Sequence, residues 1–135
     1  MMCRRREGGQ SLAELAMLLP VLMLILLGSF DLGRAFSVWM ALANGSREGA
    51  RYACLYPTAD LADIRRVATA DMAAEGIAPS AVTIEVSAPH GTGEGNPIRV
   101  TAQYSMPLMS GFLFGGRPVA IRASTQMMII GRGTG

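Results

Sequence analysis

The chain opens on a long apolar stretch. From Leu15 to Phe30 sixteen residues carry no charge, and Leu12 and Ala13 extend the run backward across one acid, Glu14. An ideal helical span needs roughly 20 residues, and the neutral Gln10 and Ser11 complete one. From Asp31 the pattern changes without a break in helical spacing. Leu32, Phe36, Trp39, Leu42 or Ala43, Ser46, Ala50 and Ala53 fall on one stripe, whereas Asp31, Arg34, Asn44, Arg47, Glu48 and Arg51 fall mostly elsewhere. One helix of about 44 residues is therefore predicted, apolar all round in its first half (10–31) and amphipathic in its second (32–53).

Pro57-Thr58-Ala59-Asp60 ends that helix and offers Thr58 or Asp60 as the N-cap of a second, predicted over 60–75. Leu61, Ile64, Val67, Ala68 and Met72 form its apolar face, and Gly76 marks its end. Period-2 alternation follows in three stretches, 81–88, 98–105 and 118–129, which read as half-buried strands. The expected fold class is α+β and pilin-like: one long membrane-to-soluble helix, a short second helix and a three-stranded antiparallel sheet. Gly131 to Gly135 form a tail with nothing to bury.

Composition narrows the function. All 12 basic residues are Arg, set against 10 acids, and Arg4, Arg5 and Arg6 are their only tight cluster. A tripeptide at one end is no phosphate-tracking surface, so no nucleic-acid partner is expected. Placed just before the apolar run, the cluster puts the N-terminus in the cytoplasm and the chain after about residue 31 outside the cytoplasmic membrane, as a single pass. Removing residues 1–9 takes away three Arg and Glu7 and leaves acids and bases equal in number.

Candidate chemistry is sparse. His90 is the only histidine and lies in the Gly-rich stretch from Pro89 to Pro97. A phosphate-cradling loop needs a helix after it, and here a strand follows, so the stretch reads as a hairpin connection. No metal ligand set, cofactor, small-molecule substrate or catalytic group is expected, and the chain is not read as an enzyme. Cys3 lies across the span and so does not meet Cys54, which as a lone thiol is read as free rather than as an intersubunit disulfide. The connection from Met106 to Gly116 is unusually apolar. It either folds back over the sheet or presents Phe112 and Phe114 to a partner, as Phe36 and Trp39 could on the helix.

Three readings fit the N-terminal segment. Secretory cleavage after the apolar run lacks a clear Ala-x-Ala site and would start the mature chain near Phe36, which the amphipathic spine argues against. An unprocessed anchor, whose exported domain binds a partner at the envelope, is the second. The third is a leader cut before the apolar run, suggested by Gly8-Gly9-Gln10-Ser11-Leu12-Ala13-Glu14: a short basic segment ends in Gly, and an acid follows five residues on. A carboxylate at the edge of a span asks for a partner. Pro20, inside the apolar helix, removes the hydrogen bond to the Ala16 carbonyl and provides a weak point.

Gly9, Glu14, Pro20 within Leu18-Leu19-Pro20-Val21-Leu22, the segment Gly28 to Arg34, and Ala43-Asn44-Gly45-Ser46-Arg47-Glu48-Gly49-Ala50-Arg51 together resemble the TadE-like family of pilin-related proteins of bacterial tight-adherence systems. The resemblance covers residues 8–53. It implies a minor pilin-like subunit, or pseudopilin, cut between Gly9 and Gln10 by a prepilin peptidase. It implies assembly with other pilin-like subunits on an inner-membrane platform, with Glu14 important for that assembly. Gln10 stands where major type IV pilins carry a methylated Phe, so that modification is not expected. An α-amino group freed at Gln10 could pair with a neighbour's Glu14, an interaction that specifies register more than it stabilises.

Overall fold

A computed structural model describes residues 7–113 and 115–130. Helix α1 runs from Glu7 to Leu55 without interruption, 49 residues including Pro20, a length of about 74 Å at 1.5 Å per residue. Residues 9–26 are exposed throughout, and the helix is long and apolar enough to cross a membrane. Arg4 to Arg6 of the expected leader and the tail 131–135 lie outside the described residues.

Past Phe30 the helix becomes the spine of an α+β domain. Helix α2 (Leu61–Ala68) packs beside α1, followed by a short 3-10 turn at Met72–Glu75. Strands β1 (Val82–Ser87), β2 (Pro97–Met106) and β3 (Val119–Met128) form an antiparallel sheet in the order β1-β2-β3. The expected fold class is borne out. Each strand extends within a residue or two of its predicted bounds, because alternation marks a strand's faces sharply. The register aligns Val82 with Tyr104 and Ile121, Ile84 with Ala102 and Ala123, and Val86 with Val100 and Thr125. Those rows face α1, which crosses β2 and β3. Leu42, Ala50, Ala53, Ile64, Met72, Val82, Val100 and Met106 make the centre of the core.

Two expectations need correction. The second helix does not run from 60 to 75 but ends at Ala68. There the Thr69 hydroxyl donates to the Arg65 carbonyl at 2.9 Å, and the chain tightens into 3-10 bonding that tucks Met72 against α1. Asp60 holds the N-cap position, but its side chain makes no capping bond. The buried stripe of α1 is also displaced from the one read in the sequence. It is Asp31, Val38, Leu42, Ser46, Ala50 and Ala53, whereas Leu32, Phe36 and Trp39 are exposed. Leu42 onward was placed correctly. Below it two apolar flanks compete, and hydrophobicity alone does not say which meets the sheet. The choice falls to the flank whose one acid finds donors.

The Gly-rich connection between β1 and β2 is tied to the end of β3. The Gly95 amide donates to the Ile129 carbonyl and the Ile129 amide to the Asn96 carbonyl, both at 2.9 Å. Cys54 is buried, and its thiol donates to the Arg51 carbonyl at 3.1 Å.

Candidate assembly surface along the first helix

The residues singled out at the N-terminus share one exposed helix. Gly9 and Gln10 lie within its first turns, so any cut between them falls in helical backbone. Gln10 donates from Nε2 to Glu14 Oε1 at 3.2 Å, an i,i+4 contact in the open. Among the described residues Glu14 thus has a neutral hydrogen-bond partner and no ion pair. Pro20 sits one and a half turns further on, still inside continuous helix. All four residues are exposed, on the half of α1 that lies outside the core.

The boundary between the two halves is built by Asp31. Its Oδ1 accepts the Met109 amide at 2.8 Å, and its Oδ2 accepts the Ser110 amide at 2.9 Å and the Ser110 hydroxyl at 2.6 Å. Met109 and Ser110 open the 3-10 turn Met109–Leu113 in the connection between β2 and β3, so the carboxylate satisfies amides that the turn leaves unbonded. Arg34, one turn along α1, reaches the same carboxylate at 3.9 Å and the Pro107 carbonyl at 3.4 Å. The apolar connection is thereby clasped to the helix where the uncovered half begins. Leu108 packs on the core while Met109 stays exposed. The fold-back account therefore holds at Leu108. The side chain of Phe112 and all of Phe114 lie outside the described residues.

Higher on α1, the small residues of the Ala43–Arg51 segment seat α2. A Cβ on Gly45 would collide with the Ala68 carbonyl oxygen and the Met72 methyl. One on Gly49 would stand 3.0 Å from the Ala68 Cβ and 3.2 Å from Val100 Cγ1. Ser46, fully buried between them, donates to the Ala43 carbonyl at 2.9 Å and shares a 2.8 Å hydrogen bond with the Thr125 hydroxyl of β3. The pattern of the segment alone does not name the partner of these glycines, since Ala68 and Met72 belong to later elements.

Phe36 and Trp39 stack with ring centroids 6.0 Å apart and are 59% and 47% exposed. Among the described residues no three His, Cys, Asp or Glu side chains gather as metal ligands.

The model of the TadE-like protein family matches residues 9–51. This bears out the resemblance and spans the uncovered half of α1, the Asp31 clasp and most of the α2 seat. Comparison with curated proteins and with solved structures yields no match.

Proposed function

We propose that this chain, whose first helix carries a TadE-like segment, is a minor pilin-like subunit of a tight-adherence pilus or secretion apparatus. It is held in the cytoplasmic membrane by α1 until it is used in assembly. The observation that carries the reading is the placement of the family match on one uninterrupted helix, lipid-compatible in its first half and the spine of a domain in its second. Such a helix provides both an anchor and a shaft by which a subunit can be packed beside others.

In this reading a prepilin peptidase cuts between Gly9 and Gln10. Sister pilin-like subunits and an inner-membrane assembly platform are the partners, and the domain lies outside the cytoplasm. The exposed Glu14 supports the reading because its partner among the described residues is a neutral Gln10 side chain. Moved into an apolar bundle of helices, a carboxylate gains most from a cation, and the α-amino group created at Gln10 supplies one. Pro20 leaves the Ala16 carbonyl without its helical donor, so the helix can bend there as it leaves the bilayer.

Intact-mass spectrometry of the protein from its native membranes tests the proposal, with a Gly9→Val variant alongside. A mature chain starting at Gln10, absent in the variant, is expected. Retention of residues 1–9 in both samples would reduce the protein to an unprocessed anchor.

A further inference from the structure

Helix α1 carries a hollow on one flank and a projection on the other. Ser37, Ala41 and Gly45 each precede by one residue the buried Val38, Leu42 and Ser46, and Trp39 follows Val38 by one. At about 100° per residue they lie on opposite sides of the core-facing stripe. The hollow, about 360 Å³, lies between α1, α2 and the Met72–Glu75 turn, with Met40, Ala41, Val67 and Met72 supplying its apolar lining. Its rim holds Glu48, Asp71 and Glu75, none of which is in an ion pair among the described residues. The projection is the exposed Phe36–Trp39 stack.

We propose that the Phe36–Trp39 pair of one copy of this chain seats in the α1–α2 hollow of a second copy. Three features of the surface point to that occupant. The hollow presents the exposed Met40, whose polarizable thioether favours contact with aromatic rings. Its rim is acidic and unpaired, while Arg47, itself in no ion pair among the described residues, shares a stripe with Phe36 and Ala43 at i+7 and i+11. Docking the aromatic pair brings that guanidinium toward the neighbour's carboxylates. Finally, copies anchored by α1 in one membrane have parallel helices, and a contact between the two flanks preserves that alignment.

The geometry also fixes the kind of association. Because projection and hollow are on opposite flanks, one contact uses the projection of one copy and the hollow of the other, leaving one of each free. The interface is heterologous and extends beyond a dimer. It goes beyond the proposed function because it requires no cleavage at Gly9.

Photo-crosslinking of the full chain in the membranes of cells producing it tests the contact, with benzoylphenylalanine in place of Trp39. The expected result is a ladder of dimer, trimer and larger species, with adducts mapped to Met40 or Val67 of the neighbouring copy. Ala41→Trp, which fills the hollow, and Asp71→Arg, which reverses its rim, should each reduce the ladder at least tenfold. Only monomer, adducts to lipid or other proteins, a ladder ending at the dimer, or links mapped outside the hollow would overturn the proposal. The same ladder in a Gly9→Val background separates this contact from leader processing: its persistence there supports self-association whatever becomes of the pilin reading, and its loss overturns the independence claimed here.

Discussion

Asp31 and Ser110, 79 positions apart, are joined by two hydrogen bonds to one carboxylate oxygen, 2.9 Å from the amide and 2.6 Å from the hydroxyl, with the Met109 amide on the other oxygen. Both residues are buried. Replacing Asp31 by Asn keeps the volume but turns an amide donor toward donors. Replacing it by Ala leaves two backbone amides without acceptors. Each change should cost about 1–3 kcal/mol of domain stability, read as a lower denaturation midpoint of the detergent-solubilised chain. Added protease cleavage between residues 107 and 118 should accompany it. Wild-type cleavage and stability in Asp31→Ala would show that the clasp does not hold the connection.

Gly45 and Gly49 separate two effects that the family segment combines. At Gly45 the obstacle to a Cβ includes a backbone carbonyl, which cannot swing aside as the Met72 methyl can. At Gly49 the contacts are side-chain atoms at 3.0 and 3.2 Å. Gly→Ala in a helix gains about 1 kcal/mol in propensity, while overpacking costs about 1–3 kcal/mol, occasionally more. Gly45→Ala should therefore be clearly destabilising and Gly49→Ala close to neutral, measured by chemical denaturation of the two variants side by side. Equal effects would mean that α2 is not seated as described.

The order of elements was legible because alternation and helical spacing are local properties of the chain, and each strand emerged close to its predicted bounds. What local pattern does not carry is the partner. Asp31 reads as a polar residue on a soluble helix until Ser110 arrives to bind it, and that pairing displaces the buried stripe away from Leu32, Phe36 and Trp39. The end of α2 was missed for a similar reason. Ala68 to Glu75 are acceptable helix formers, but burying Met72 against Gly45 requires the chain to turn after Ala68. Glu14 and Gly9 could be singled out only as members of an ordered set, since both are exposed on α1 and neither belongs to the core.

Ser46 and Thr125 give a test of coupling between helix and sheet. The Ser46 hydroxyl donates to Ala43, so the Thr125 hydroxyl is the donor in their 2.8 Å bond. Ser46→Ala removes that acceptor, and Thr125→Val removes the donor. Each single change should cost about 1 kcal/mol, and the double variant should cost less than the two combined, because no hydroxyl is then left unpaired. Strict additivity in a double-mutant cycle would mean the bond contributes nothing to holding α1 on β3.

Glu14 offers the prediction that separates folding from assembly. Its side chain is exposed and, among the described residues, accepts a hydrogen bond from Gln10, about eleven turns of helix from the far end of α1. Glu14→Ala should leave domain stability, membrane insertion and cutting after Gly9 unchanged, since none of these draws on the carboxylate. In a bundle of apolar helices, however, the α-amino group of a neighbour would lose its counter-charge, and breaking one partner of a buried pair costs about 3–5 kcal/mol. Recovery of assembled pili in sheared fractions should fall at least tenfold, with the processed subunit accumulating in the membrane. Glu14→Asp, which keeps the charge on a shorter arm, should restore part of the yield. Normal assembly by Glu14→Ala would show that the carboxylate has no part in joining subunits.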